Sequence, residues 1–196
     1  MRQRSSTPLV TVVVLVGVFC SALVLGQAVG LPDLAAPWSG SGDRPGLRRS
    51  IPTRVSIPAL EVRADVVEVG RADDGSIATP PGDPVRQTGW YGFGPAPGEL
   101  GTAVIVGHVD TKTEPAVFAR LASVAPGKLV EVSRQDGRVA TFAVDSVESF
   151  PKTAFPVDRI FLPADRPRLA LVTCGGRWIG GELGYSDNVI VFATLI

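Results

Sequence analysis

A mainly β fold, a barrel or a sandwich with one or two short helices, is what this sequence predicts for the stretch beyond residue 53. Three observations predict it. "TAVIVGH", "RLALVTC" and "NVIVFATLI" are short, nearly continuous apolar runs, the pattern of strands buried on both faces. "KLVEVSRQDGRVATFAVDSVESF" is two alternating runs joined across Asp136-Gly137, a hairpin signal. Only one segment, "EPAVFARLASV", has helical spacing.

Taken in order, the chain opens with "MRQRSSTPLVTVVVLVGVFCSALVLGQAVGLPDL", in which Arg2 and Arg4 precede a run without a charged side chain until Asp33. A bilayer core needs about 20 apolar residues, so residues 1–30 are expected to form a transmembrane signal anchor with its N-terminus inside. The competing reading is a cleaved signal peptide, since small residues around Gln27 to Gly30 suit a peptidase. Both readings export the body of the protein. Residues 31–53 hold Pro, Gly and Ser without apolar periodicity, the composition of a flexible tether. "RVSIPALEVRADVVEV" then supplies Val- and Ile-rich strand sequence bent by Pro58. In "EPAVFARLASV", Val117, Phe118 and Leu121 would cover one side of a short helix, with Pro115 suited to its first turn.

Lys and Arg number 19, as do Asp and Glu, so no basic patch argues for nucleic acid and no acidic run for disorder. The chain has two cysteines and one histidine. Cys20 falls in the anchor and cannot pair with Cys174, which leaves Cys174 a free thiol in a compartment that favours disulfides. A small buried hydrophobe is one explanation for such a cysteine. His108 supplies another, because it too ends an apolar run, in "AVIVGHVD". Side chains at the ends of neighbouring core strands share one rim. A thiol of pKa about 8.5 is mostly protonated at neutral pH and gains reactivity beside an imidazolium. Gly175 and Gly176 fit either a tight turn or a backbone open to a substrate carbonyl, with amides free for an oxyanion. One histidine and one accessible cysteine are too few for a structural zinc site, and no metal or cofactor is expected.

The motifs "IPAL", "GWYGFGPAPGELGTAVIVGHVD", "PAVFARL", "PGKLVEV", "FPKTAFP", "LALVTCGG" and "GYSDNVIVFA" together resemble the sortases, membrane-anchored cysteine transpeptidases of Gram-positive bacteria, and most closely their class F. The resemblance spans 54–196 and implies an eight-stranded sortase-type β-barrel as the catalytic domain. It implies that Cys174 attacks the Thr-Gly bond of an LPXTG-like sorting signal, forming a thioacyl enzyme. His108 would then serve as general acid and base, and Thr173, Gly175 and Gly176 would shape the oxyanion region. The implied partners are sorting-signal peptides of exported proteins, a peptidoglycan-precursor amine as acceptor, and the membrane through the N-terminal helix. The catalytic domain would lie outside the cell membrane.

The family's third residue is an arginine toward the last strand. Here "GGELGYSDN" has Ser186 where an arginine could stand, and Arg177 is the only arginine downstream of Cys174. Arg177 is therefore assigned to the substrate carbonyl or oxyanion, with Arg159, Arg166 and Arg168 as alternatives. "WIGGEL" departs from the Phe-Asp expected after the two glycines. Asp110 could orient the imidazole or cap a turn. Tyr185, Asp187 and Asn188 match the family's segment before the last strand. The missing arginine also leaves open a sortase-like domain that binds envelope peptides without catalysis.

Overall fold

A computed structural model describes residues 46–181 and 184–196. The expected anchor and most of the expected tether lie outside the described residues. Among the described residues no helix is long and apolar enough to cross a membrane.

Eight strands close into a barrel: β1 (Pro52–Ile57), β2 (Val62–Val69), β3 (Gln87–Tyr91), β4 (Gly101–Val106), β5 (Leu129–Arg134), β6 (Val139–Pro151), β7 (Pro167–Gly180) and β8 (Gly184–Leu195). Around the barrel they run β1-β2-β3-β4-β7-β8-β6-β5. The pairs β2–β3 and β4–β7 are parallel and the rest antiparallel. Closure leaves no sheet edge unpaired, which resolves barrel against sandwich.

Local chemistry accounts for the elements. Pro58 interrupts the first apolar run with a 3-10 turn (Pro58–Leu60), and Glu61, at φ 58°, turns the chain back so that β1 and β2 pair antiparallel. Asp136-Gly137 makes the β5–β6 hairpin as expected, with Gly137 at φ 81°. The helix expected over 114–124 is instead a series of turns ending in a 3-10 turn (Leu121–Ser123). Its amides are drawn elsewhere: Ala116 N–H donates to Val109 C=O (3.1 Å), Val117 N–H to Pro84 C=O (3.1 Å) and Phe118 N–H to His108 C=O (2.9 Å). Tertiary bonds override helical spacing in so short a segment. The single α-helix among the described residues, α1 (Val157–Phe161), lies where sequence spacing gave no signal.

Two apolar clusters form on opposite sides of the barrel wall. Inside are Trp90, Ile105, Phe118, Phe142, Leu169 and Leu171 among others. Outside, Tyr91, Val104, Ala170, Val172, Ile190 and Phe192 are covered by Ile160 of α1. Both faces of β4, β7 and β8 are thus buried, which is why their sequences read as continuous apolar runs.

The residues just before β1 are held against the barrel. Leu47 N–H donates to Gly98 C=O at 2.6 Å. Arg49 donates to the carbonyls of Gly92 (2.7 Å) and Gly94 (3.0 Å) and lies 5.0 Å over the Trp90 ring. The buried Arg134 guanidinium donates to the carbonyls of Arg48 and Pro97 and pairs with Asp136. These contacts fix the loop after β3, which borders the groove described below.

On the outer face Arg159 donates to Glu148 Oε1 at 2.7 Å and stacks 3.8 Å over Phe192. Hydrogen bonds from Arg159 and then Ser146 hold the Glu148 carboxyl below its ordinary range. A depressed carboxyl stabilises the fold above its unfolded value, and that contribution is lost as pH falls through the folded one. Melting temperature is therefore expected to drop as pH falls below the ordinary glutamate value of about 4.3. Glu148→Gln should make the drop shallower. An equally steep drop in thermal melts of the variant would remove Glu148 from the account.

Candidate active site

Strand alternation decides which side chains reach the outer face. On β4, Ala103 and Ile105 point into the barrel while Val104 and Val106 belong to the outer cluster; on β7, Leu169 and Leu171 point in while Ala170 and Val172 point out. Continuing by two places each outer row toward the strand ends reaches His108 and Cys174.

The register puts them side by side. Val104 pairs with Ala170 and Val106 with Val172 in the parallel β4–β7 ladder. Gly107 N–H still donates to Val172 C=O at 3.0 Å, so the two chains stay bonded past the end of β4. The same offset matches His108 with Cys174, on strands spaced by about 4.8 Å. On the far side of Cys174, the β7–β8 ladder pairs it with Asn188. One row across the sheet thus reads His108, Cys174, Asn188.

All three border a groove enclosing about 1330 Å³. Its lining includes Tyr91, Val106 and Val172 of the outer cluster, Arg71, Ile77 and Pro80 from the segment between β2 and β3, and Phe155, Ile160 and Phe161 from in and around α1. Exposed apolar side chains stand along it: Phe93 is 78% exposed, Leu162 60% and Val157 54%. Such a patch beside a concave surface marks a site for apolar groups of a ligand.

Cys174 is a free, half-buried thiol. His108 is half-buried as well, and its loop is braced by the bonds that its own carbonyl and that of Val109 accept from Phe118 and Ala116. Thr173 is buried at 4% exposure, and its Oγ1 has no hydrogen-bond partner among the described residues.

The Asp110 carboxylate accepts the Tyr185 hydroxyl. This contact ties the loop after His108 to β8, a bracing role distinct from the two the sequence offers Asp110, orienting the imidazole or capping a turn. The bond holds the Tyr185 hydroxyl above its ordinary pKa, with burial and the charges of Asp110 and Cys174 adding to the effect. Tyr185 also meets Trp178 edge to face at 5.1 Å.

Gly175 and Gly176 are explained by β8. A Cβ at Gly175 would fall 2.6 Å from Val189 Cγ2, and one at Gly176 would fall 2.4 Å from Ser186 Oγ. Gly176 also has φ +75°, in the left-handed region. Neither glycine lines the groove. Gly176→Ala is expected to cost roughly 1–3 kcal/mol through overpacking and backbone strain, read by urea unfolding. A variant as stable as the parent would mean that β8 yields freely at Ser186.

Arg177 is exposed in the irregular stretch of β7 between Gly175 and Trp178; its backbone N–H donates to Ser186 Oγ at 3.0 Å, and it does not line the groove. Arg159 is engaged by Glu148, while Arg166 and Arg168 pair with Asp165. Among the described residues the arginine on the groove wall is Arg71, whose Nε donates to Tyr91 Oη at 2.9 Å. Sequence reasoning missed it, since no motif marks it.

A sortase-domain family model matches residues 55–196. Solved structures of similar fold include the lid mutant of sortase A from Corynebacterium diphtheriae (18% identity, TM-score 0.58, covering 76% of this chain and 72% of that one). Others are sortase C1 from Streptococcus agalactiae in complex with MTSET (19%, 0.57, 77% and 71%) and sortase C from Streptococcus pneumoniae (19%, 0.56, 76% and 68%). No curated protein matches the sequence. Because the family model covers all eight strands but the first residues of β1, and the free thiol and lone histidine meet on one groove of that barrel, this chain belongs to the sortase family of cysteine transpeptidases.

Proposed function

We propose that this protein cleaves an LPXTG-like sorting signal between Thr and Gly and joins the new Thr carboxyl group to an amine of a peptidoglycan precursor. The observation that carries this reading is that Cys174 on β7 and His108, two residues past the end of the parallel neighbour β4, border one groove with an apolar lining.

Cys174 Sγ attacks the threonine carbonyl carbon, and the carbonyl oxygen takes the negative charge. The C–N bond to glycine breaks as His108 gives its proton to the leaving amine. A thioester remains on Cys174. The acceptor amine then attacks that carbonyl, His108 takes the amine proton, and the C–S bond breaks to restore the thiolate. The groove's apolar walls suit the leucine and proline of the motif.

The class F motifs, a single-pass N-terminal anchor and an extracytoplasmic catalytic domain complete the proposal, supported by the sequence patterns given above. Incubation with an LPXTG peptide and a soluble amine tests it. The expected product is the peptide ending in threonine joined to that amine; cleavage at another bond would reject the assignment of the scissile site, and absence of any product would reject the substrate class.

A further inference from the structure

Acyl transfer through Cys174 places negative charge on the substrate oxygen, and a donor must stand within hydrogen-bond reach of it. Of the groups that sequence reasoning offers for this task, Thr173 borders the groove but is buried, on the inward row of β7 with Leu169 and Leu171, and the others stand outside the groove. Gly175 and Gly176 do not border the groove, and the space above them is filled by Val189, Ser186 and Asp187. Arg177 is exposed and also outside the groove. His108 is committed to the leaving amine.

Resting on the transpeptidase reading above, we propose that the side-chain amide of Asn188 is the donor that holds the substrate carbonyl and stabilises its oxyanion at Cys174. Asn188 is the direct cross-strand partner of Cys174 in the β7–β8 ladder. Opposed residues of an antiparallel pair have Cβ atoms about 4.5–5.5 Å apart. The side chain of Asn188 alternates onto the same outer face as Ile190 and Phe192, and it borders the groove with Cys174 and His108. From there Nδ2 reaches an oxygen on a carbon bonded to Sγ.

The surroundings suit the role. Asn188 is half-buried, and its amide has no hydrogen-bond partner among the described residues, whereas neighbouring polar groups are engaged: Asp187 accepts from Ser149 at 3.1 Å and Ser186 from Arg177 N–H. A half-buried amide normally finds partners, and this one borders the same groove as the reacting sulfur. His108 and Asn188 then flank Cys174 on opposite sides, so proton transfer and charge stabilisation do not compete for one position.

The test compares Asn188→Ala, Asn188→Asp and Arg177→Ala with the parent full-length protein in two reactions. The first is single-turnover acylation by an LPXTG peptide; the second is alkylation of Cys174 by iodoacetamide, followed on the Cys174 peptide by mass spectrometry. Alkylation reads thiol reactivity and site packing but forms no oxyanion. Asn188→Ala is expected to slow acylation about 100-fold or more while its alkylation rate stays at the parental value. Asn188→Asp, nearly the same shape but a carboxylate beside the developing charge, should be at least as slow. Arg177→Ala should acylate normally. Parental acylation in Asn188→Ala, a parallel fall in its alkylation, or a collapse confined to Arg177→Ala would each overturn the assignment. A parent that forms no acyl adduct would overturn the transpeptidase reading itself, and the role of Asn188 with it.

Discussion

Cys174→Ala is expected to abolish thioacyl formation and peptide cleavage while the protein stays folded. The thiol stands mid-way along β7, half-buried beyond the core residues Leu169 and Leu171. Removing one sulfur there opens no enclosed core cavity, so the penalty of large core truncations does not apply. Catalysis has no substitute nucleophile, since Cys174 is the one free cysteine among the described residues. Thermal melts and a cleavage assay separate the outcomes. If activity and melting temperature fell together, Cys174 would be a packing residue and not the nucleophile.

His108→Ala should slow cleavage by roughly 10²–10⁴, the usual contribution of general acid–base catalysis. In the mechanism proposed above, its task is to protonate a poor leaving group, the amine of glycine. A thioester or aryl ester of the same peptide leaves without that help, so acylation of the variant by such a substrate should recover much of the lost rate. Equal slowing on the amide and the activated ester would show that His108 acts on the thiol or the groove and not on the leaving amine.

The barrel wall was legible where burial is two-sided. The runs ending at His108, Cys174 and Ile196 read as strands because both faces are packed, inside by residues such as Phe118 and outside by Ile160. β3 gave no such signal: its five residues, "QTGWY", include a glycine and two polar residues, and their order comes from pairing with β2 and β4. Helical spacing at Val117, Phe118 and Leu121 misled because each of these side chains packs inward from a turn.

Within the site, His108 and Cys174 were legible as a pair because each ends an apolar run. Asn188 was not, because its place opposite Cys174 depends on pairing across a hairpin whose register shifts between Gly175 and Trp178 and again before Gly180. Counting residues along "GGRWIGGELGYSDN" cannot locate those shifts. Likewise Arg71 reaches the groove through its bond to Tyr91, twenty residues away in sequence.

Cys174 is expected to become acylated by the N-terminal part of a sorting signal. Intact-mass measurement of the protein after brief exposure to an LPXTG peptide reads this step. The expected mass gain is that of the peptide through its threonine less one water, mapped to Cys174 and absent from Cys174→Ala. Cleavage of the peptide by Cys174→Ala at the parental rate, or an adduct on any other residue, would contradict it.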